Sequence, residues 1–204
     1  MADSTQKHED TLIIACGALA KEIEQIKKLN DWPHLKLQCL PAELHNRPEW
    51  IPDRLREAIA KYRDEYDQIF IAYADCGTGG EIDKIIAEYG LERLPGPHCY
   101  SFFAGQKSFL ELADQEPGTL YLTDFLTRHF DRLMIRGLKI DKHPELEEMY
   151  FANYQRLVYL AQTEDKELQK QAQAAADRLK LEYVYQRTGY GELQTSLESL
   201  IAIG

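Results

Sequence analysis

Three apolar runs in the first half of the chain each break into a turn that leads to a helix signal. This alternation limits the available folds more than any other feature. Thr11–Ala15 (TLIIA) stops at Cys16-Gly17, and Ala18–Leu29 then carries Leu19, Ile23, Ile26 and Leu29 on one helical face. Leu35–Leu40 (LKLQCL) places apolar residues at alternating positions and is stopped by Pro41. Arg47-Pro48 and Pro52 punctuate the link to an amphipathic helix over Pro52–Tyr66. Gln68–Ala74 (QIFIAYA) is the most apolar run and enters Asp75-Cys-Gly-Thr-Gly-Gly80, ahead of a helix predicted over Glu81–Tyr89. Short apolar runs suit parallel strands buried on both faces, and strand–helix alternation calls for a parallel sheet layered between helices.

The second half continues less regularly. Leu94-Pro-Gly-Pro-His-Cys-Tyr-Ser-Phe-Phe-Ala-Gly105 reads either as a strand over Cys99–Phe103 or as an ordered loop entering a helix at Gln106–Ala113. Gly118–Leu122 (GTLYL) reads as a strand, and Thr123 or Asp124 can cap a helix over Phe125–Ile135. From Pro144 the pattern predicts helices over Pro144–Gln162 and Asp165–Leu179, followed by a late strand at Leu181–Gln186. On the first of these helices, Tyr150, Phe151, Tyr154 and Tyr159 read as a face packed against the sheet. The expectation is a Rossmann-like α/β fold with a mostly parallel sheet, helices on both faces and a helical segment after residue 144. Residues 1–10 read as a flexible N-terminus and 11–204 as a single α/β domain. Within it, 143–180 form a helical excursion and 181–204 return to the sheet.

Bulk chemistry narrows the function classes. The 204 residues are 44% apolar and 28% charged, which is too apolar for a disordered chain and long enough for a core without covalent staples. No window approaches the roughly 18 unbroken apolar residues of a membrane span. The polar, acidic start MADSTQKHED resembles neither a secretory signal nor an Arg-rich transit peptide, so a soluble cytoplasmic protein is expected. Lys and Arg number 24 against 34 Asp and Glu, a balance that argues against a nucleic-acid backbone as partner. Four cysteines in such a chain do not suggest a disulfide framework, and the absence of any CxxC pair removes zinc-ribbon and thioredoxin-type arrangements.

Open parallel sheets hold ligands outside the carboxyl ends of their strands. Cys16 ends the first predicted strand, Cys39 lies near the end of the second, and Cys76 follows the third. Cys99 sits in the turn-rich segment beyond. The functional reading gathers Cys16, Cys76 and Cys99 around zinc or an iron–sulfur cluster, since thiolates favour such soft metals. The plainer reading makes each a small buried hydrophobe, and it fits Cys39 best because no glycine adjoins it. Asp75, Gly77, Thr78, Gly79 and Gly80 form a glycine-rich turn at a helix start, suited to cradling an anion or simply to holding Cys76. A thiol near a helix N-terminus should have a lowered pKa. His45, in the loop after the second strand, and His98, beside Cys99, are candidate bases. His143 reads as a helix lead-in, and His8, His34 and His129 as surface or structural residues. Tyr190, in Arg187-Thr-Gly-Tyr-Gly191, and Asp124 could reach a carboxyl edge, or could serve as turn and cap.

Taken together, Cys16-Gly17-Ala18-Leu19, Leu44-His-Asn-Arg-Pro48, Asp75-Cys-Gly-Thr-Gly-Gly80, His98-Cys99-Tyr100 and Gly118-Thr-Leu-Tyr-Leu-Thr-Asp124 resemble the DUF1638 domain family. The resemblance continues through Asn153-Tyr154 and Tyr159–Thr163 to Thr188-Gly-Tyr-Gly191. It implies cysteines matching Cys16, Cys76 and Cys99, with Cys39 as a variable site. It also implies a setting near corrinoid-dependent methyltransferase components in bacteria and archaea, without a settled activity.

Three functions follow as expectations. The first is a metal-binding protein, zinc or iron–sulfur, acting in corrinoid, one-carbon or thiol-linked methyl metabolism. The second is a metal-free enzyme with Cys76 as nucleophile and His98 or His45 as base. The third is a non-catalytic accessory protein that carries a small ligand or docks onto a methyltransferase component.

Overall fold

The computed structural model describes residues 8–203, with side chains described over 11–199. Residues 1–7 of the expected flexible N-terminus and the side chain of His8 lie outside the described residues. The chain divides into two compact units, one running to Cys99 and taking in the last residues from Ser196, the other spanning Tyr100–Thr195.

The first unit follows the predicted alternation closely. β1 (His8–Cys16), α1 (Ala20–Leu29), β2 (Leu35–Leu40), α2 (Ile51–Tyr62), β3 (Tyr66–Ala72), α3 (Glu81–Tyr89) and the two-residue β4 (Glu92–Arg93) succeed one another, with short 3-10 turns at Gly17–Leu19, Ala42–Asn46 and Pro48–Trp50. The four strands form an all-parallel sheet in the order β2-β1-β3-β4. Ile13, Ile14 and Ile71 on the strands are fully buried, as are Ile23 and Ile26 on α1, Leu55 on α2, and Ile82 and Ile85 on α3. Each helix therefore turns its apolar stripe inward. At Gly17 a Cβ would stand 2.9 Å from the carbonyl oxygen of Leu40, so the turn after β1 approaches β2 at a distance open only to glycine.

The second unit contains α4 (Ser101–Ala104), α5 (Gln106–Gln115), β5 (Thr119–Leu122), α6 (Asp124–Arg128), a π-helical turn at Asp131–Arg136, α7 (Glu145–Phe151), β6 (Arg156–Ala161), α8 (Lys166–Leu179), β7 (Glu182–Arg187) and the start of α9 (Gly191–Ile203). Its sheet is again all parallel, in the order β5-β6-β7. Cys99–Phe103 is not a strand, because Ser101 already begins α4. Thr123 caps α6 by accepting the N–H of Leu126.

One expectation fails here. The helix predicted over Pro144–Gln162 ends at Phe151, and the chain then forms strand β6. Leu157, Tyr159 and Ala161 face a core shared with α6 and α8, whereas Val158 and Leu160 pack with Phe109 of α5. A strand covered on both faces reads as an unbroken apolar run, and RLVYLA is such a run. Tyr159 consequently lies on a strand, Tyr154 in the turn before it, and Tyr150 is exposed; only Phe151 and Tyr154 of the four pack beside each other on the core side of α7. The late strand, β7, joins β6 in this second sheet rather than returning to the first.

Asp124 ties the second unit together. Only 1% exposed, its carboxylate accepts the Tyr159 hydroxyl at 2.8 Å, the N–H of Gln162 at 3.0 Å and the N–H of Thr163 at 3.1 Å, with the Thr163 hydroxyl also bonded to it. Its own N–H donates to the Gln162 side-chain oxygen at 2.8 Å. Removing a buried charged acceptor leaves several donors without a partner. Asp124→Ala should therefore lower unfolding stability by about 3 kcal/mol, read as a reduced denaturation midpoint, with Asp124→Asn less damaging.

Candidate functional site

In the first unit β1 lies between β2 and β3, so the chain leaves β1 toward one side and returns to the sheet on the other. Ligands of open α/β sheets settle in the crevice at such a reversal, beyond the carboxyl ends of the strands. Cys16 is the last residue of β1, and Tyr73 to Cys76 follow directly on β3.

Register decides which side chains share a face. Ala15 pairs with Ala72 across β1 and β3, so Cys16 and Tyr73 stand side by side one step further on. Cys16 pairs with Leu40 and Ala15 with Cys39, which puts Cys39 on the opposite face of the sheet. There Cys39 is half-buried near Glu24 and Lys27, and burial, followed by the Glu24 charge, raises its thiol pKa.

The segment after β4 delivers the fourth cysteine. It runs beside the extension of β3, with the N–H of Leu94 on the Ile71 carbonyl at 3.0 Å, the N–H of Asp75 on Gly96 at 3.0 Å and the N–H of Cys76 on Pro97 at 2.8 Å. The result is a Cys76 Sγ to Cys99 Sγ contact of 2.9 Å. Cys76 holds a left-handed backbone with φ 51°, a conformation that costs a non-glycine residue roughly 1–2 kcal/mol and tends to occur where surroundings impose it at functional sites.

The two sulfurs differ electrostatically. The contact with Cys99 lowers the Cys76 pKa, outweighing the opposing effect of burial. That same pairing, together with burial, raises Cys99 well above the ordinary thiol value. The pairing thus biases negative charge toward Cys76 and the proton toward Cys99. Cys16 stays protonated, pushed up to about 12 by burial against the N–H of Ala18, and it feels the charge of Cys76.

The glycine-rich turn is occupied by its own acidic residue. Asp75 accepts the N–H of Gly80 at 2.7 Å, the Thr78 hydroxyl at 3.0 Å and the N–H of Gly79 at 3.2 Å. Burial would raise its carboxyl pKa, but these bonds, with the N–H of Gly77, hold it below the usual range. Gly80 takes φ 87° as the residue before α3, a conformation suited to glycine. Of the expected anion cradle, the amides of Gly79 and Gly80 are therefore already engaged.

His45 lies in the 3-10 turn after β2, and burial, then the neighbouring charge of His98, lowers its pKa. Burial also lowers His98, against the pull of Asp75. Both imidazoles are neutral near pH 7 and able to take a proton. Tyr190 and Asp124 belong to the second unit: Tyr190 follows β7 and its carbonyl accepts the N–H of Leu193, while Asp124 is the buried hub. Among the described residues, no three His, Cys, Asp or Glu side chains are arranged to hold a metal ion.

One member of the site escaped the sequence reading. Tyr73 is 1% exposed, lies beside the Cys16 thiol and within electrostatic reach of Cys99 and Cys76, and its hydroxyl makes no hydrogen bond of ordinary geometry. Its only signal was a hydroxyl inside the run QIFIAYA, one residue past the strand itself.

The chain belongs to the family described as a protein of unknown function, DUF1638, whose family model matches residues 39–197. Cys76 and Cys99 fall inside that span, and Cys16 precedes it. No curated protein and no solved structure matches the chain. No helix among the described residues is long and apolar enough to cross a membrane.

Because the buried Tyr73 hydroxyl has only the Cys16 thiol, a weak partner, beside it, Tyr73→Phe should leave the thermal midpoint level or raise it, by up to about 1 kcal/mol. A lowered midpoint would mean that the hydroxyl is bonded in solution.

Proposed function

We propose that this chain performs thiol chemistry on a small molecule at the carboxyl edge of its first sheet, with Cys76 as the attacking thiolate. The observation that carries this reading is the 2.9 Å contact between Cys76 and Cys99, which lowers the pKa of the first thiol and raises that of the second. A thiolate is the nucleophilic form of cysteine, and a neighbouring donor makes it available near neutral pH. His45 and His98, neutral and close to each other, with His98 also near Asp75, are the groups able to move a proton during such a reaction. Cys16 and Tyr73 form the inner wall and remain protonated. A cytoplasmic setting, where thiols are kept reduced, suits a free thiolate.

The test is the pH dependence of alkylation by iodoacetamide. Cys76 should react first, with an apparent pKa below the ordinary thiol value, so that reactivity persists below that value and is lost as pH falls through the lowered one. Cys99→Ser should shift the midpoint and Cys39→Ser should leave it in place. A midpoint for Cys76 equal to that of a free cysteine would remove this reading.

The position of Cys16 favours a second reading, in which zinc or an iron–sulfur cluster binds the same sulfurs. Cys16 and Cys76 are close enough to influence each other's ionisation, and thiolates are the ligands such metals take. Binding would displace the protons of Cys16 and Cys99 and draw the three sulfurs together. Protein purified without oxygen should then retain about one equivalent of metal per chain, kept by Cys39→Ser and lost by Cys76→Ser. Equal metal content in the two variants rules the metal out.

A further inference from the structure

The four thiols sort into a pair and two bystanders. Cys76 and Cys99 are in contact at 2.9 Å, and a disulfide bond spans about 2.05 Å, so joining them needs a movement of under ~1 Å. The backbone bonds from Asp75 to Gly96 and from Cys76 to Pro97 hold the two loops at that spacing. Cys16 is 6% exposed and shut off behind Tyr73, whereas Cys39 lies on the other face of the sheet. Neither can compete for the partner of Cys76.

We infer that Cys76 and Cys99 form a redox-active dithiol that exchanges with small-molecule disulfides, Cys76 attacking and Cys99 resolving. This deepens the proposed function and rests on the sulfur contact described there. In the first step the Cys76 sulfur bonds to one sulfur of a disulfide RSSR; the S–S bond breaks, and RS⁻ leaves and takes a proton from water. In the second, Cys99 gives its proton to a neutral imidazole or to water and its sulfur attacks the Cys76 sulfur; the mixed S–S bond breaks, and the second RS⁻ leaves and takes up that proton. Two protein thiols are oxidised to one disulfide, and RSSR is reduced to two RSH. Two sulfurs already in contact suit the sequence, since the second can attack as soon as the first has formed the mixed disulfide. The half-buried crevice position of both residues favours low-molecular-weight disulfides.

The full chain, kept under argon and then incubated with oxidised glutathione, provides the test. The wild type should lose two thiols and two hydrogens in mass, with a peptide map joining Cys76 to Cys99. Cys99→Ser should stop at a glutathione adduct on Cys76, and Cys76→Ser should consume oxidised glutathione at least about tenfold more slowly. A wild-type cross-link through Cys16 or Cys39, or four surviving thiols, overturns the inference. If Cys76 alkylates rapidly at low pH yet no cross-link forms, the dithiol fails and the thiolate reading stands. If alkylation is ordinary and no cross-link forms, both fall. Ordinary alkylation with a Cys76–Cys99 cross-link keeps the dithiol and withdraws only the resting thiolate.

Discussion

Two backbone hydrogen bonds hold the site together: the N–H of Asp75 on the carbonyl of Gly96, and the N–H of Cys76 on that of Pro97. They prolong the pairing of β3 with β4 past the ends of both strands, which are seven and two residues long. Without them the chain after β3 and the chain before Cys99 would be independent loops, and the sulfurs would meet only by chance. With them, Cys76 is fixed in a left-handed conformation and its sulfur is held against that of Cys99. The electrostatics follows from this geometry, because a thiol donor in contact with a second sulfur stabilises negative charge there.

Strand order places that pair at a productive position. The chain reverses direction across the sheet between β1 and β3, and the turns that leave those strands carry Cys16 on one side and Cys76 on the other. Glycine 17 lets the first turn lie tight against β2. The second unit has a different organisation: its three strands follow one another in sequence order, and its densest polar contact is the buried network around Asp124. In that unit the carboxyl ends of β5 and β6 are closed by the protein's own hydrogen bonds.

Much of the first unit was legible because its signals are local. Apolar runs buried on both faces, glycine after Cys16, and Asp75 to Gly80 before α3 all declare themselves within a few residues. The strand β6 was missed because five consecutive apolar positions following a helix fit a longer helix as well as a buried strand, and only packing on both faces separates them. The sequence grouped Cys16, Cys76 and Cys99 as a candidate set without showing how they sort. That Cys76 and Cys99 touch depends on the pairing of residues 94–97 with the end of β3, a contact across some twenty residues that leaves no periodic trace. Tyr73 was unreadable for a related reason: its place next to Cys16 follows from interstrand register, which a single sequence does not fix.

Asp75 has a further consequence for what the crevice admits. By filling the amides of Gly79 and Gly80 with its own carboxylate, the loop supplies a permanent internal competitor for any oxyanion. A phosphate or carboxylate seeking those two amides would have to evict a tethered rival and tolerate its charge. The turn thus uses those two amides to fix its own shape, and they offer an anion no docking point.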